Sequence, residues 1–318
     1  MSGSRSQVVP SRGERGLASH RPADVAALLD PAWAHVERVA ERIDLDAGTR
    51  LGGWTARHVL VHLGSWDDPG VADSLAHKVA EARGGLVEPA EDADARNARL
   101  VATHHDASRD EVLAALRRAR QSTAAYLRGP DVAATGTVPV SSVIGELPLT
   151  GLLVARAYEL AVHTLDLVPA GGAPPDDALQ TAGLGALVDV TGALLARQGL
   201  TTTFAVATPI AGWVVATSGG DWTTASLERG RSLRSAGAPG VEGTAADVLD
   251  ASAGRAPAAG LLLTRRLRPH DVAALLQMLP ALENAPGLPG GAAVRAAARV
   301  LAGAGRAAGG LSARLPGR

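Results

Sequence analysis

The chain has 318 residues, which favours two domains because a single domain usually holds roughly 100–200 residues. Its formal net charge is −1, and with 46% hydrophobic and 20% charged residues it has a globular composition without a basic excess that would attract nucleic acid or an anionic membrane. There is no cysteine, which excludes disulfides, thiolate metal sites and a cysteine nucleophile. Any thiol chemistry must therefore use a small-molecule thiol.

Both ends of the chain are predicted to be disordered tails. Residues 1–20 are rich in serine, arginine and glycine, and they lack both the apolar stretch of a signal peptide and enough apolar surface to fold. Residues 286–318 are rich in alanine, glycine and arginine, with one marginal helix over 292–302. No segment approaches the about 18 apolar residues of a membrane span, so we predict a cytoplasmic protein that makes no membrane contact.

Residues 21–169 are predicted to form a helical bundle. The first amphipathic helix covers residues 22–43, where apolar side chains recur at spacings of three and four. The second begins after Thr55, which can cap it, and bends near Pro69 because proline removes a backbone donor.

Two further helical regions complete the predicted bundle. The third covers residues 94–127 and is interrupted near His105, after which Ser108 and Glu111 have the spacing of a capping box. The fourth is the apolar run 149–168, which four polar residues interrupt too often for a membrane span.

Residues 170–175 read AGGAPP and are predicted to be a linker. The following region, 176–285, begins with a helix and then changes to β-branched, alternating segments, which predicts a small α+β domain. Its predicted strands cover 201–206, 212–217, 223–227 and 261–263, and its later helices cover 241–253 and 269–279.

The fourth helix carries the pattern R-A-Y-E-L-A-V-H-T-L-D over residues 156–166. Its i,i+4 spacing places Glu159 and His163 on one helical face, where they could bind one divalent metal ion. His62, on the second helix, is the best-placed third ligand. Three protein ligands would leave a coordination position open, as catalytic zinc sites do. The spacing alone equally allows two ordinary buried polar residues.

These residues also carry a family resemblance. The segments W-T-A-R-H-V-L-V-H-L-G from Trp54 and R-A-Y-E-L-A-V-H-T-L-D-L from Arg156 resemble the signature helices of the mycothiol-dependent maleylpyruvate isomerase family. That family belongs to the DinB-like metal-binding four-helix bundles. The pattern V-E-G-T-A-A-D-V-L-D-A-S-A-G-R from Val241 resembles its C-terminal, sterol-carrier-like α+β domain. The resemblance implies a DinB-like bundle followed by this smaller domain.

The resemblance implies that His62, Glu159 and His163 bind a divalent metal, with zinc as the expected ion, and that mycothiol is the thiol cosubstrate. Asp166 and Arg255 are predicted to be catalytic, and Arg156 to contribute to cofactor binding. Asp166 either orients His163 or is a polar residue near the helix end. The expected partners are a low-molecular-weight thiol and a small electrophile, and the expected assembly is a monomer or small homo-oligomer. The single lysine among many arginines is typical of actinobacterial proteins.

One departure from the family pattern is His58, where members usually carry an acidic residue. His58 lies i,i+4 from His62, so a cage of four ligands is an alternative that would close the site. The cluster of His104, His105 and Asp106 is instead interpreted as a solvated turn.

Two other functions also agree with the sequence. The first is a metal-dependent hydrolase or lyase that uses bound water in place of a thiol. The second is a non-catalytic protein that binds a metal and an apolar ligand.

Overall fold

The computed structural model describes residues 9–64, 74–85, 93–230, 232–236 and 238–278, and every structural statement below refers to these. The predicted bend near Pro69 and the C-terminal tail from residue 286 lie outside the described residues. The described chain is α+β, as predicted, with an N-terminal helical bundle followed by a region that contains a five-stranded sheet.

Four helices form the bundle: α1 (Pro22–Ala40), α2 (Ala56–Gly64), α5 (Arg109–Arg128) and α7 (Leu149–Leu167). They contact one another through their apolar faces, because leucine and alanine recur there at helical spacing. The side chains almost completely removed from solvent include Leu29, Leu60, Leu116, Leu153 and Leu160. The bundle therefore matches the predicted helices, with ends that differ by a few residues.

Shorter elements connect the bundle helices. The described helices between α2 and α7 also include α3 (Leu75–Ala82), α4 (Ala93–Thr103) and α6 (Asp131–Thr135), and the strands β1 (Pro139–Val140) and β2 (Leu147–Pro148) form a hairpin. The predicted interruption near His105 separates α4 from α5. The predicted capping box is present, since the Ser108 hydroxyl accepts from the Glu111 N–H and the Glu111 carboxylate accepts from the Ser108 N–H.

Helix α8 (Asp177–Arg197) lies between the bundle and the sheet. It packs closely on α7, because Gly183 lets the two helices approach until an added Cβ would lie 2.5 Å from the Cβ of Ala161. Its length and hydropathy would allow it to cross a membrane, but 67% of its apolar window is buried inside the protein. This is the burial expected of a core helix.

The sheet has the strand order β5-β4-β3-β6-β7, with β3 and β6 parallel and the other neighbours antiparallel. Its strands are β3 (Thr202–Ala207), β4 (Gly212–Ser218), β5 (Asp221–Leu227), β6 (Gly240–Glu242) and β7 (Arg268–His270). The helices of this region after α8 are α9 (Leu233–Ala236), α10 (Ala245–Ser252), α11 (Ala258–Leu263) and α12 (Val272–Gln277).

Three predictions for this region are wrong in detail. The predicted strand at 261–263 is the end of helix α11, because a short apolar run does not distinguish a buried strand from a buried helix. The predicted helices 241–253 and 269–279 each begin with strand residues, which pair β6 with β7. These pairings join segments far apart in the chain, and no local pattern reports them.

The bundle and the α+β region share one apolar core. Buried side chains from α1 and α7 belong to the same cluster as side chains from α8, β4 and α10. The predicted linker, residues 170–175, is followed by Asp176, whose carboxylate caps α8 and also contacts His35 and Arg38 of α1. The division into two domains stays a prediction.

The prediction that residues 1–20 form a disordered tail is wrong for residues 9–20. Residues 16–19 form a 3-10 helix, and Leu17 is 2% exposed. The Leu17 N–H, the Trp222 indole N–H and the Thr224 hydroxyl all donate to Oδ1 of the buried Asp189. The sequence does not reveal that this segment is ordered, because its hydrogen-bond acceptor, Asp189, comes about 170 residues later.

Replacing Asp189 with alanine is expected to lower the free energy of unfolding by about 2–4 kcal/mol, because three buried donors lose their acceptor. Denaturant unfolding measures the loss, and limited proteolysis should cut the chain between residues 9 and 20. Asp189→Asn, which keeps an acceptor oxygen, is the matched control. An alanine variant as stable as the asparagine variant would contradict the role of these hydrogen bonds.

Burial raises the pKa of Asp189 although the three donors oppose it. Folding therefore favours the protonated carboxyl group, so its contribution to stability is full below the ordinary pKa of aspartate and decreases as pH rises through the raised pKa. The Asn variant lacks this decrease. Its stability relative to the wild type is expected to increase with pH across the acidic range.

Candidate metal centre

The three predicted metal ligands meet at one point of the bundle. Helix α2 supplies His62, and α7 supplies Glu159 and His163 from one face. Oε2 of Glu159 lies 3.5 Å from Nε2 of His62 and 3.4 Å from Nε2 of His163. One donor atom from each residue lies within 4.8 Å of the others, and in the described chain these three residues form the only such group.

Each imidazole is held by a second partner at Nδ1. Nδ1 of His163 lies 3.0 Å from Oδ2 of Asp166, and Nδ1 of His62 lies 3.1 Å from Oδ1 of Asn97. Because both partners are acceptor oxygens, each Nδ1 carries the hydrogen, and the lone pair of a neutral imidazole is at Nε2. Both lone pairs then face the Glu159 carboxylate. When both imidazoles are neutral, three electron-pair donors face one another, and a cation between them offsets their repulsion, so this donor set fits a divalent metal.

The electrostatics of the centre also favour a cation. Burial would raise the pKa of Glu159, but the two imidazoles hold that pKa well below its usual range. Burial lowers the pKa of His62, whereas for His163 the hydrogen bonds to Asp166 and Glu159 outweigh burial and raise the pKa to about 9. Without a metal, His163 therefore keeps both ring protons at neutral pH, and its positive charge lies beside the Glu159 carboxylate. A divalent ion would supply positive charge at the same place.

The centre is more accessible on one side. The side chains of His62 and His163 are 7% and 10% exposed, whereas that of Glu159 is 28% exposed. Trp54 lies beside the centre with its ring edge-on to His62, at a centroid distance of 5.9 Å. Among the three ligands, Glu159 therefore has the most exposed side chain.

Asp166, predicted to be catalytic, lies behind His163 and is fully buried. Its carboxylate accepts from Nε and Nη2 of Arg255, both at 3.0 Å, and its pKa is lowered because His163 and Arg255 outweigh burial. Asp166 and Arg255 are thus connected to each other and, through His163, to the proposed metal. Arg255 remains 25% exposed.

Arg50 and Asp250 are part of this network and were missed by the sequence analysis. Nε of Arg50 lies 3.7 Å from Oδ1 of Asp166, and its Nη2 lies 2.8 Å from Oδ1 of Asp250 in α10. The Arg50 N–H also donates to the Asp166 carbonyl. Arg50 therefore joins the bundle to the α+β region next to the centre. No local pattern marks it, since it stands in a loop and its partners follow 116 and 200 residues later.

Arg156, predicted to bind the cofactor, lies one turn before Glu159 on α7. Its guanidinium is near enough to His62 to contribute to the lowering of that residue's pKa. A role in cofactor binding stays a prediction. The cluster of His104, His105 and Asp106 lies in a turn between α4 and α5, where His105 and Asp106 are exposed.

His58 does not belong to the group of residues that could hold a metal. Its Nδ1 accepts from the Thr55 N–H at 3.3 Å, which is the position of the acidic residue in a capping box. Its side chain also lies edge-on to Trp54. His58 thus caps the first turn of α2 in place of a carboxylate, and the arrangement with four ligands finds no support in this geometry.

Replacing His58 with glutamate is expected to leave metal content unchanged and to raise the free energy of unfolding by about 0.5 kcal/mol, because a carboxylate is the stronger cap and suits a helix N-terminus. Elemental analysis and denaturant unfolding measure the two effects. His58→Ala should retain the metal as well. Loss of metal from the alanine variant would show instead that His58 is a fourth ligand.

Part of the chain is similar to a known protein family. Residues 25–168 match the family model of the mycothiol maleylpyruvate isomerase N-terminal domain. No curated protein sequence is significantly similar to the chain.

Two solved structures share the fold. The crystal structure of the mycothiol-dependent maleylpyruvate isomerase is 18% identical, with a TM-score of 0.50 over 76% of this chain and 92% of that chain. A point mutant of the same enzyme is 16% identical, with the same TM-score and coverage. Identities this low show the fold alone. Residues 25–168 are therefore similar to the N-terminal domain of the mycothiol maleylpyruvate isomerase family.

Proposed function

We propose that this protein is a metal-dependent enzyme that uses mycothiol, or a similar small thiol, for cis–trans isomerisation or S-transfer on a small electrophile. The observation that carries the proposal is the convergence of His62, Glu159 and His163, with each histidine oriented from behind by an acceptor oxygen. The similarity of residues 25–168 to the mycothiol maleylpyruvate isomerase N-terminal domain supports the choice of thiol. The two solved isomerases of the same fold act with mycothiol according to their descriptions.

His62, Glu159 and His163 would hold the metal, and zinc suits their two nitrogens and one carboxylate oxygen. A bound divalent ion lowers the pKa of a thiol, so that a thiolate is available at neutral pH. Because the chain contains no cysteine, it has no thiol of its own to compete for that position. Three protein ligands would leave a coordination position open for the cosubstrate.

The remaining residues of the proposed site orient the metal ligands and compensate buried charge. Asp166 accepts from Nδ1 of His163 and so directs Nε2 toward the metal position, while Arg255 and Arg50 compensate its buried negative charge. Arg255 is our candidate for contact with an anionic substrate, because its side chain is partly exposed and pairs with Asp166, next to the metal ligand His163. Addition of the thiolate to an activated double bond would permit rotation, and expulsion of the thiol would complete isomerisation.

The proposal is tested by titrating cobalt-substituted protein with mycothiol. We expect a sulfur-to-cobalt absorption band that saturates with the thiol, and its absence in His62→Ala protein. Metal binding without any response to mycothiol would favour a hydrolase or lyase that uses bound water. Protein that purifies without metal and takes up none, with its fold intact, would refute the metal-dependent function altogether.

A further inference from the structure

The two histidines of the centre have chemically different partners. His163 is supported by Asp166, a buried carboxylate that also contacts Arg255 and Arg50. His62 is supported by Asn97, a neutral amide. Asn97 stands on α4, a helix that contributes no metal ligand and that contacts α2, the helix of His62.

We propose that Asn97 is a positioning residue for His62. Its Oδ1 accepts the hydrogen of Nδ1, which fixes the imidazole tautomer and leaves the Nε2 lone pair directed at the metal position. The inference rests on the proposed metal centre and assigns α4 a part in it. Partners behind metal-bound histidines typically change metal affinity by about 10–100-fold when they are removed.

The neutrality of Asn97 has a consequence for the chemistry. Glu159 already places one negative charge at the metal position, and the charge of Asp166 is compensated by Arg255 and Arg50. A carboxylate in place of Asn97 would add a further negative charge behind His62. The amide therefore orients the imidazole without reducing the positive charge that stabilises a bound thiolate.

Three variants of α4 test this role. Asn97→Leu has a similar size but no acceptor, and Asn97→Asp keeps the acceptor and adds a charge. Thr103→Leu makes a polar-to-leucine change on the exposed side of the same helix and is the matched control. Metal affinity is measured by competition with a chelator of known affinity.

We expect Asn97→Leu to weaken metal binding by about 10–100-fold, whereas Thr103→Leu binds like the wild type. Asn97→Asp should bind metal at least as tightly as the wild type. In its cobalt form, the sulfur-to-cobalt band with mycothiol should develop at higher pH, because added negative charge disfavours the thiolate. Equal loss of affinity in the aspartate and leucine variants would overturn the inference, as would unchanged affinity in Asn97→Leu.

A second readout needs no metal. In ¹⁵N NMR spectra of the metal-free protein, His62 is expected to be the Nδ1–H tautomer, and Asn97→Leu should shift it toward Nε2–H, which can donate to Glu159. The resonance is assigned by comparison with His62→Ala. An Nε2–H tautomer in the wild type would overturn the role of Asn97. Failure of the wild type to bind any metal, with the Nδ1–H tautomer present, would instead refute the proposed function.

Discussion

Glu159→Gln protein is expected to purify without bound metal and without measurable thiol-dependent activity. Glutamine has nearly the shape of glutamate but no charge, and two imidazoles with a neutral amide bind a divalent ion weakly. The loss of affinity should exceed the roughly 10–100-fold caused by removing a partner behind a ligand. Elemental analysis and the chelator competition measure it.

The fold of this variant is expected to survive, because the glutamine amide can donate to Nε2 of His62 or His163, which lie 3.5 and 3.4 Å from the carboxylate oxygen. Circular dichroism and thermal unfolding of the metal-free protein check this point. Glu146→Gln is the matched control, since Glu146 is exposed and lies just before β2, outside the metal centre. A Glu159→Gln protein that keeps stoichiometric metal would remove Glu159 from the ligand set.

Asp166→Ala is expected to have the largest effect on stability at the centre. Asp166 is fully buried, and its removal leaves the Arg255 guanidinium and the His163 ring without their shared acceptor. Breaking a buried ion pair in this way costs about 3–5 kcal/mol of unfolding free energy. Metal affinity should also decrease by about 10–100-fold, because His163 loses the group that orients it.

Two further variants separate the causes. Asp166→Asn keeps an oxygen for Nδ1 of His163 but loses the charge, so it should recover more of the metal affinity than of the stability. Asp177→Ala is the control, because it removes an exposed aspartate at the start of α8. It should change neither the metal affinity nor the free energy of unfolding appreciably. Equal metal affinity in the wild type and Asp166→Ala would show that the His163 contact is structural only.

Local periodicity predicted most of the bundle. Helices α1, α5 and α7 follow from apolar side chains at helical spacing, and the capping box at Ser108 and Glu111 lies where the sequence places it. The i,i+4 spacing of Glu159 and His163 required only that α7 be a helix. Such features survive folding because they depend on contacts within one or two turns.

Contacts between distant segments could not be predicted in the same way. The residues around 261–263 have the apolar character of a strand but lie in α11, and residues 9–20 have the composition of a tail but are held by Asp189. In both cases the tertiary environment outweighs a weak local preference. The same limit applies to Arg50 and Asn97, whose roles depend on partners from other elements.

The sequence by itself determined that one helix face carries a carboxylate and an imidazole, that the chain has no thiol, and that His62 stands on a second amphipathic helix. These follow from residue identity and helical spacing, which no packing can change. Only the tertiary structure decided that the three donors meet within 4.8 Å, that His58 caps α2, and that Asn97 and Asp166 stand behind the two imidazoles. The physical reason is that a metal centre is defined by the convergence of side-chain atoms in space, and convergence is set by how α2, α4 and α7 pack together.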